Sequence, residues 1–144
     1  MNEYDVVVGI GLAGLYFSLK LNSSLKVLLI TKDDMEKSNS YLAQGGISVL
    51  REPDDFESYL EDTLKASRYE NNIDAVKIMI NESREIVNEL INLGVDFDKK
   101  EDGELQYTRE GAHRINRILH HEDSTGKEII EKFIKRLKKE VILK

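Results

Sequence analysis

Residues 4–14 read Tyr-Asp-Val-Val-Val-Gly-Ile-Gly-Leu-Ala-Gly and decide the fold predicted for this chain. A short β-branched run leads into a G-x-G-x-x-G pattern, and apolar residues at helical spacing follow. Such a strand, turn and helix seats a dinucleotide pyrophosphate on the unpaired N–H groups at the positive end of the helix. The predicted pyrophosphate-binding residues are Gly9, Ile10, Gly11, Leu12, Ala13 and Gly14.

A second strand is predicted at residues 26–30, Lys-Val-Leu-Leu-Ile. This continuous apolar run is typical of a parallel strand that is covered on both faces. The fold class predicted from the two strands and the intervening helix is α/β, with a Rossmann-like βαβ start over residues 4–31 and additional helices.

Composition limits the range of functions. The chain has 144 residues, a net charge of −6 and no cysteine. The negative charge argues against nucleic acid or an anionic membrane as a partner. No apolar run approaches the roughly 20 residues that cross a membrane, and the acidic N-terminus does not resemble a secretory signal. These features predict a cytoplasmic location.

Further helices are predicted over residues 54–94 and 125–140. Asp54 is the predicted N-cap of the first helix, with Glu57 three residues later. Asn72 is the predicted N-cap of a longer helix that ends at Gly94. The apolar face predicted for this longer helix comprises Ile73, Val76, Met79, Ile80, Val87, Leu90 and Ile91. Asp102-Gly103 predicts a hairpin turn between two short strands. Residues 141–143, Val-Ile-Leu, predict the opening of another strand.

Two stretches near the predicted nucleotide site leave alternatives open. Lys32 follows the second strand, where nicotinamide-binding folds usually carry an acid; it meets a phosphate or adenosine hydroxyls, or is a solvated turn lysine. Residues 38–46 combine small polar side chains with a Gly-Gly pair, which suits either a cofactor-wrapping loop or a surface loop. The candidates there are Ser38, Asn39, Ser40, Tyr41, Leu42, Ala43, Gln44, Gly45 and Gly46, within a loop taken as 38–49.

Residues 108–125 are dense in charged residues and glycine with weak periodicity, which predicts a loop with a function. Arg117 in this loop either forms a structural ion pair or attracts an anion. His120 and His121 are adjacent, so they cannot both face one centre from a regular element. No ligand-spaced carboxylate set accompanies them, and no metal site is predicted.

Residues 38–47 resemble the flavin-contacting segment of the superfamily of succinate dehydrogenase, fumarate reductase and L-aspartate oxidase. Residues 108–113, Thr-Arg-Glu-Gly-Ala-His, resemble a second signature of L-aspartate oxidase, together with Arg-Ile-Leu-His at 117–120 and Asp-x-Thr-Gly at 123–126. Residues 60–66 extend the resemblance. It implies an FAD-dependent oxidoreductase that converts L-aspartate to iminoaspartate in NAD (quinolinate) biosynthesis. Oxygen or fumarate would be the electron acceptor, with a functional link to quinolinate synthase.

The resemblance also implies roles for single residues. Asn39 stands where succinate dehydrogenase and fumarate reductase flavoproteins commonly carry the histidine bonded to FAD, so noncovalent FAD is implied. Glu110 would lie near the substrate amino group, and His113 would donate to a substrate carboxylate or to flavin. The residues alone also allow a structural role for each: Glu110 as a loop carboxylate paired with Arg109 or Arg114, and His113 as a donor to the loop backbone.

Three departures from the family pattern accompany this resemblance. The strand before Gly9 is one apolar residue shorter than usual, and Ala112 and Arg114 replace a glycine and a serine that flank the motif histidine. Family members also continue through a capping domain and a helical domain, and their proton-transferring arginine has no counterpart here. The chain is therefore expected to be an N-terminal portion that is inactive alone. The alternatives are a fumarate reductase or succinate dehydrogenase flavoprotein fragment and a non-catalytic product of a truncated gene.

Overall fold

The computed structural model describes residues 3–137 and divides into two compact units. The first unit contains residues 3–45, 93–95 and 123–137, and the second contains residues 46–92 and 96–122. In chain order the elements are β1 (Val6–Gly9), α1 (Leu12–Lys20), β2 (Val27–Ile30), β3 (Ile47–Ser48), α2 (Phe56–Ala66), α3 (Ile73–Asn92), β4 (Tyr107–Thr108), β5 (Ile118–Leu119) and α4 (Thr125–Leu137). Short 3₁₀ turns occupy Met35–Lys37 and Pro53–Asp55.

The first unit is built on the predicted βαβ motif. β1 and β2 pair in parallel, with Val6 opposite Val27 and Gly9 opposite Ile30. The α/β prediction is confirmed, although β1 begins at Val6 rather than at Tyr4. The Asp5 carboxylate accepts a hydrogen bond from the Lys26 backbone N–H at 2.8 Å and ties the start of the two strands together.

The core of the first unit lies between α1 and α4. Leu15 of α1 and Phe133 of α4 are fully buried, and the rings of Tyr16 and Phe133 lie 6.0 Å apart. Within the described residues the sheet is covered on one face only, because Val7 is 58% exposed and Ile30 is 50% exposed. The prediction that both faces of the second strand are covered is therefore wrong for this part of the chain. The strand predicted at 141–143 and the last residues of the predicted helix 125–140 lie outside the described residues.

The second unit packs α2 against α3. Its core cluster comprises Leu50, Tyr59, Leu60, Val76 and Ile80. The Asn72 side chain caps α3, since its Oδ1 accepts from the N–H groups of Asp74 and Ala75. The predicted cap at Asp54 is wrong: it lies inside the 3₁₀ turn, and α2 follows Asp55 without a side-chain cap. Part of the predicted apolar face of α3 is also wrong, as the exposed side chains include Ile73, Met79 and Ile91.

A small antiparallel sheet completes the second unit, with β5 between β3 and β4. The predicted hairpin turn is present: Gly103 has φ of +86°, and the Lys100 N–H donates to the Glu104 carbonyl. Its arms form a single bridge between Lys99 and Leu105 rather than two strands. Among residues 3–137 there is no helix long and apolar enough to cross a membrane.

Candidate functional site

The glycine turn between β1 and α1 leaves open space above the strand ends. A Cβ atom at Gly14 would lie 2.0 Å from the Gly9 carbonyl oxygen, so the helix packs against the strand at a distance that only glycine permits. A Cβ at Gly9 would meet nothing within 4 Å, and one at Gly11 would meet only the Ser40 Oγ at 3.6 Å. The turn is therefore shaped as an open cradle at the N-terminus of a helix, as phosphate binding requires.

The loop 38–45 is held against this turn by specific hydrogen bonds. The Leu12 N–H donates to the Ser40 Oγ at 3.1 Å and thereby caps the start of α1. The Gly126 N–H at the start of α4 donates to the Ala43 carbonyl at 2.9 Å. A Cβ at Gly126 would lie 2.0 Å from the Ser40 carbonyl oxygen, so this close approach also requires glycine. Loop 38–45 is thus fixed between the first turns of α1 and α4.

A cavity of about 610 Å³ lies over the carboxyl ends of β1 and β2. Its lining includes seven predicted cofactor residues: Gly9, Ile10, Gly11, Lys32, Ser38, Asn39 and Ser40. Eight further predicted residues of the first unit are outside this lining: Leu12, Ala13, Gly14, Tyr41, Leu42, Ala43, Gln44 and Gly45. Gly46 belongs to the second unit. Several of the remaining residues support the cradle or loop 38–45 through the contacts described above.

The acidic residues beside Lys32 have a basic partner of their own. The Lys37 ammonium lies 2.8 Å from an Asp33 oxygen and 3.2 Å from an Asp34 oxygen. The hydrogen bond that the Lys37 ammonium donates to the Asp33 carboxylate lowers the pKa of Asp33 and raises the pKa of Lys37. Since Lys37 pairs with these two acids, Lys32 is the other basic residue that lines this cavity.

The second unit contains a cavity of about 810 Å³ that brings Glu110 and His113 together. A turn places both side chains there: the His113 N–H donates to the Glu110 carbonyl at 3.4 Å, and Gly111 adopts φ of +57°. Gly46, Ser48, Tyr59, Asp62 and Glu82 also line this cavity. Gly46 is required by packing, since a Cβ there would lie 2.1 Å from the Leu119 carbonyl oxygen.

Arg117 lies behind the second cavity and is 0% exposed. Its guanidinium lies 2.6 Å from an Asp55 oxygen and 2.8 Å from an Asp62 oxygen. The Nη1 atom that contacts Asp62 also lies 2.9 Å from the His113 Nδ1. The guanidinium carbon lies 4.8 Å from the centre of the Tyr59 ring. The structure thus favours the structural ion pair over free anion binding for this arginine.

The pKa values in this cluster follow from burial and pairing. Burial alone would raise the pKa of Asp62, but hydrogen bonds from the Arg114 N–H and the two guanidiniums lower it to about 2. Burial opposes the charge of Arg117, yet the bonds to Asp55 and Asp62 leave its pKa raised. The pKa of His113 is lowered, first by burial and then by the charge of Arg117, against the opposing effect of the two carboxylates.

Both basic residues considered as structural partners of Glu110 are engaged elsewhere. The Arg114 Nε lies 2.6 Å from an Asp62 oxygen, and the Arg109 Nη1 donates to the Arg114 carbonyl at 3.3 Å. His120 and His121 follow β5 in irregular backbone, and both approach the Asp98 carboxylate, at 3.1 Å and 3.8 Å. Within the described residues no group of three or more potential ligands is arranged to hold a metal.

Several site residues were not identified from the sequence. Asp55, Asp62, Ser48 and Tyr59 surround Arg117 and His113, but no local pattern distinguishes them from ordinary loop and helix residues. Gly126 belongs to the Asp-x-Thr-Gly signature, which by itself assigns it no packing role. A glycine in the first turn of an amphipathic helix is the signal that could have indicated a close backbone approach there.

The parallel strands, the open glycine cradle and the cavity at the strand ends define a dinucleotide-binding protein. Residues 5–143 match the family model described as FAD binding domain, and the chain belongs to that family. The family assignment confirms FAD as the cofactor. The structure fits this assignment, since the cradle and loop 38–45 border one cavity of suitable size.

The curated relatives extend the same comparison. An L-aspartate oxidase of Clostridium perfringens is 48% identical over 134 residues, which are 93% of this chain and 30% of that protein. An L-aspartate oxidase of Clostridium acetobutylicum is 46% identical over 134 residues, covering 93% of this chain and 31% of that protein. The chain therefore spans about 30% of the length of these relatives. The predicted resemblance to the L-aspartate oxidase family is confirmed.

Solved structures show the same fold. Sdh1 of Mycobacterium smegmatis, solved in complex with UQ1, matches with a TM-score of 0.84 at 26% identity. The match covers 99% of this chain and 27% of the Sdh1 chain. A variant of the E. coli quinol fumarate reductase FrdA has a TM-score of 0.88 at 22% identity, over 98% of this chain and 25% of that chain. The chain has the fold of part of these flavoproteins.

Proposed function

We propose that this chain is the N-terminal part of an L-aspartate oxidase, which oxidises L-aspartate to iminoaspartate in NAD biosynthesis. The observation that carries the proposal is the 48% identity to such an enzyme over 93% of the chain. The family match over residues 5–143 includes both the cavity with the glycine cradle and the cavity with Glu110 and His113. The activity requires the remainder of the enzyme, and the chain alone is expected to be inactive.

FAD would be held noncovalently in the first unit. The pyrophosphate would lie on the cradle of Gly9 and Gly11, Lys32 would meet the adenosine end, and loop 38–46 would contact the flavin. Asn39 supports noncovalent attachment, because a carboxamide lacks the nucleophilic ring nitrogen that forms a flavin–histidine bond. When bound, FAD supplies the acceptor for the two electrons that leave the substrate.

L-Aspartate would be recognised in the second unit. The Glu110 carboxylate is a suitable partner for the substrate ammonium, because a charge-assisted hydrogen bond forms between them. The same negative charge would repel a dicarboxylate that has no amine. Glu82 lines the same cavity and adds to this preference for a cation. His113 would donate a hydrogen bond to a substrate carboxylate.

The oxidation removes a hydride from Cα and a proton from the amine, so L-aspartate becomes iminoaspartate and the cofactor is reduced. Oxygen or fumarate would accept the two electrons and restore the oxidised cofactor. Because iminoaspartate hydrolyses in water, a functional link to quinolinate synthase as the consuming enzyme is part of the proposal. A cytoplasmic location is likewise part of the proposal.

A fumarate reductase or succinate dehydrogenase flavoprotein is the second candidate. The fold is compatible with it, since Sdh1, at 26% identity, has a TM-score of 0.84. The sequence favours L-aspartate oxidase, because identity falls to 26% and 22% for those flavoproteins. Glu110 separates the two candidates chemically, because a substrate with an ammonium group benefits from it and succinate does not.

The test compares L-aspartate with succinate as substrates of the complete protein that contains this chain. Formation of iminoaspartate and reduction of the flavin are expected with L-aspartate, and little reduction is expected with succinate. Oxidation of succinate without oxidation of L-aspartate would overturn the proposal and favour the second candidate. Flavin that binds but is reduced by neither substrate would favour the non-catalytic alternative.

A further inference from the structure

Arg117 and His113 form a contact whose donor and acceptor are fixed by chemistry. The Arg117 Nη1 lies 2.9 Å from the His113 Nδ1. A guanidinium has five N–H donors and no acceptor, so the ring nitrogen in this contact must accept. His113 Nδ1 therefore carries no hydrogen. A neutral imidazole has one hydrogen on its ring nitrogens, and here it is left on Nε2.

We propose that Arg117 is a positioning residue that holds His113 as the neutral tautomer with hydrogen on Nε2. The ring then donates to the Ser48 Oγ, which lies 3.0 Å from Nε2. The hydrogen-bond chain from Arg117 through His113 to Ser48 has one direction, and every group in it donates away from the arginine. The proposal deepens the role of His113 and rests on the proposed function only for the identity of the ligand.

This hydrogen-bond chain reaches the wall of the 810 Å³ cavity, which His113 and Ser48 both line. Tyr59 also lines this cavity, where burial raises the pKa of its hydroxyl and Ser48 lowers that pKa by a smaller amount. Since the Ser48 Oγ already accepts from His113, its own hydrogen is available to donate to Tyr59 or to a ligand. The Tyr59 and His113 rings meet edge to face, with centroids 5.6 Å apart, which further fixes the imidazole plane.

The Arg117 guanidinium cannot turn away from His113, because it is held from three sides. Asp55 takes two of its N–H groups, at 2.6 Å and 3.1 Å, and Asp62 takes another at 2.8 Å. The Ser58 Oγ accepts a further one at 3.0 Å. Arg117 has no exposed surface, so rotation would leave charged donors and carboxylates without partners in a buried site.

The charged and titratable groups that face His113 are Arg117, Asp62, Asp55 and Tyr59, with Glu110 in the same turn. Protonation of Nδ1 would place two hydrogens between the imidazolium and the guanidinium, which is repulsive. The lowered pKa of His113 agrees with this geometry. With the Nδ1 lone pair taken, His113 cannot accept a substrate proton, and its one N–H, on Nε2, donates either to Ser48 or to a ligand oxygen that takes the place of Ser48. The wall that it forms with Ser48 suits an anionic oxygen, such as a substrate carboxylate.

The test is nuclear magnetic resonance of the 144-residue chain with ¹⁵N-labelled histidine. Correlations from ring carbon-bound hydrogens to both nitrogens show directly which nitrogen carries hydrogen. His113→Gln identifies the resonances, and His120 and His121 serve as internal references. We expect a hydrogen-free Nδ1 and a neutral ring at pH about 6.5, where an ordinary histidine is half protonated. Hydrogen on Nδ1, averaging of the two tautomers, or an imidazolium at that pH would overturn the proposal.

Two variants separate Arg117 from Ser48 as the residue that sets the tautomer. Ser48→Ala removes the acceptor at Nε2 and is expected to leave Nδ1 free of hydrogen. Arg117→Lys keeps the charge but cannot reach both carboxylates and the ring, so averaging of the tautomers is expected. A folded Arg117→Lys chain with an unchanged tautomer would contradict the proposal. If circular dichroism shows that this variant is unfolded, Ser48→Ala becomes the deciding variant. A changed tautomer in Ser48→Ala would show that Ser48 rather than Arg117 sets the tautomer, and would overturn the proposal. The readout needs neither FAD nor L-aspartate, so its failure is distinct from failure of the proposed function.

Discussion

At the scale of single residues, the second unit depends on a buried charge. Arg117 has no exposed surface and is balanced by two carboxylates, Asp55 and Asp62. Removing ions from water is costly, and close pairing with good hydrogen-bond geometry offsets that cost. The cluster is therefore sensitive to the loss of any one partner. It also connects α2 to the loop that carries Glu110 and His113.

Asp62→Asn tests this sensitivity. The amide keeps the shape but removes one of the two charges that balance Arg117, while Asp55 still pairs with it. We expect the free energy of unfolding to fall by roughly 2 kcal/mol, less than for a buried charge with no partner left. Urea denaturation at neutral pH measures the change. Asp96→Asn is the control, because Asp96 and Lys99 form an exposed pair and little change is expected.

The pKa of Asp62 also predicts a dependence of stability on pH. Folding lowers this pKa from 3.8 to about 2, so the contribution is fully present above pH 3.8. It is lost as the pH falls from 3.8 towards 2, and it amounts to roughly 2 kcal/mol. Urea denaturation across this range should show a steeper acid loss in the parent chain than in Asp62→Asn. Identical slopes for the two proteins would contradict the account.

Glu110→Gln tests the proposed recognition of the substrate ammonium. The amide keeps a hydrogen-bond acceptor but loses the charge, so the preference for L-aspartate over succinate should fall by about tenfold or more. The ratio of kcat/KM values for the two substrates in the complete protein measures this preference. Glu104→Gln, in the exposed hairpin of residues 99–105, should leave the ratio unchanged. An unaltered ratio in Glu110→Gln would remove Glu110 from substrate recognition.

At the scale of elements, glycines set the distances between neighbouring segments. Gly14 allows α1 to touch the end of β1, and Gly126 allows α4 to touch loop 38–45. In both cases a Cβ would lie 2.0 Å from a backbone oxygen, which a side chain cannot relieve by rotating. These contacts hold the phosphate cradle and the loop beside it in one arrangement. Gly9 and Gly11 differ, since the space beside them is open.

Gly14→Ala and Gly9→Ala should therefore fail in different ways. Gly14→Ala forces α1 away from β1, and a loss of about 1–3 kcal/mol in the free energy of unfolding is expected. Gly9→Ala should keep its stability, because its methyl group enters empty space, but should weaken FAD binding where the pyrophosphate approaches. Urea denaturation and a flavin titration of each variant measure the two effects. Equal stability of both variants would contradict the packing role of Gly14.

The elements also show how far the sequence could be interpreted. The βαβ start followed from the glycine spacing and the two apolar strands, because those patterns are local. The absence of a helix cap at Asp54 could not be predicted from local sequence. The neighbouring Asp55 pairs with the guanidinium of Arg117, which is 62 residues away in the chain. The apolar face of α3 was predicted too wide, because periodicity does not show which part of the stripe meets α2. The partners of Arg117 depend on tertiary packing and have no local signal.

At the scale of the whole molecule, the resemblance supplied what local patterns could not. Glycine spacing alone indicated a dinucleotide, and Lys32 in place of an acid left the choice of cofactor open. Family membership over residues 5–143 decides for FAD. The roles of Asn39, Glu110 and His113 remain predictions, which the structure supports by placing Asn39 beside the cradle and the other two around one cavity.

Noncovalent binding of FAD to the 144-residue chain can be measured directly. Titration of FAD with the purified chain, followed by flavin fluorescence, measures binding, and acid precipitation then separates free from attached flavin. We expect a saturable change in fluorescence, with all of the flavin released into the supernatant by acid. A chain that is folded by circular dichroism yet leaves the fluorescence unchanged, or flavin that remains on the precipitated protein, would contradict this expectation.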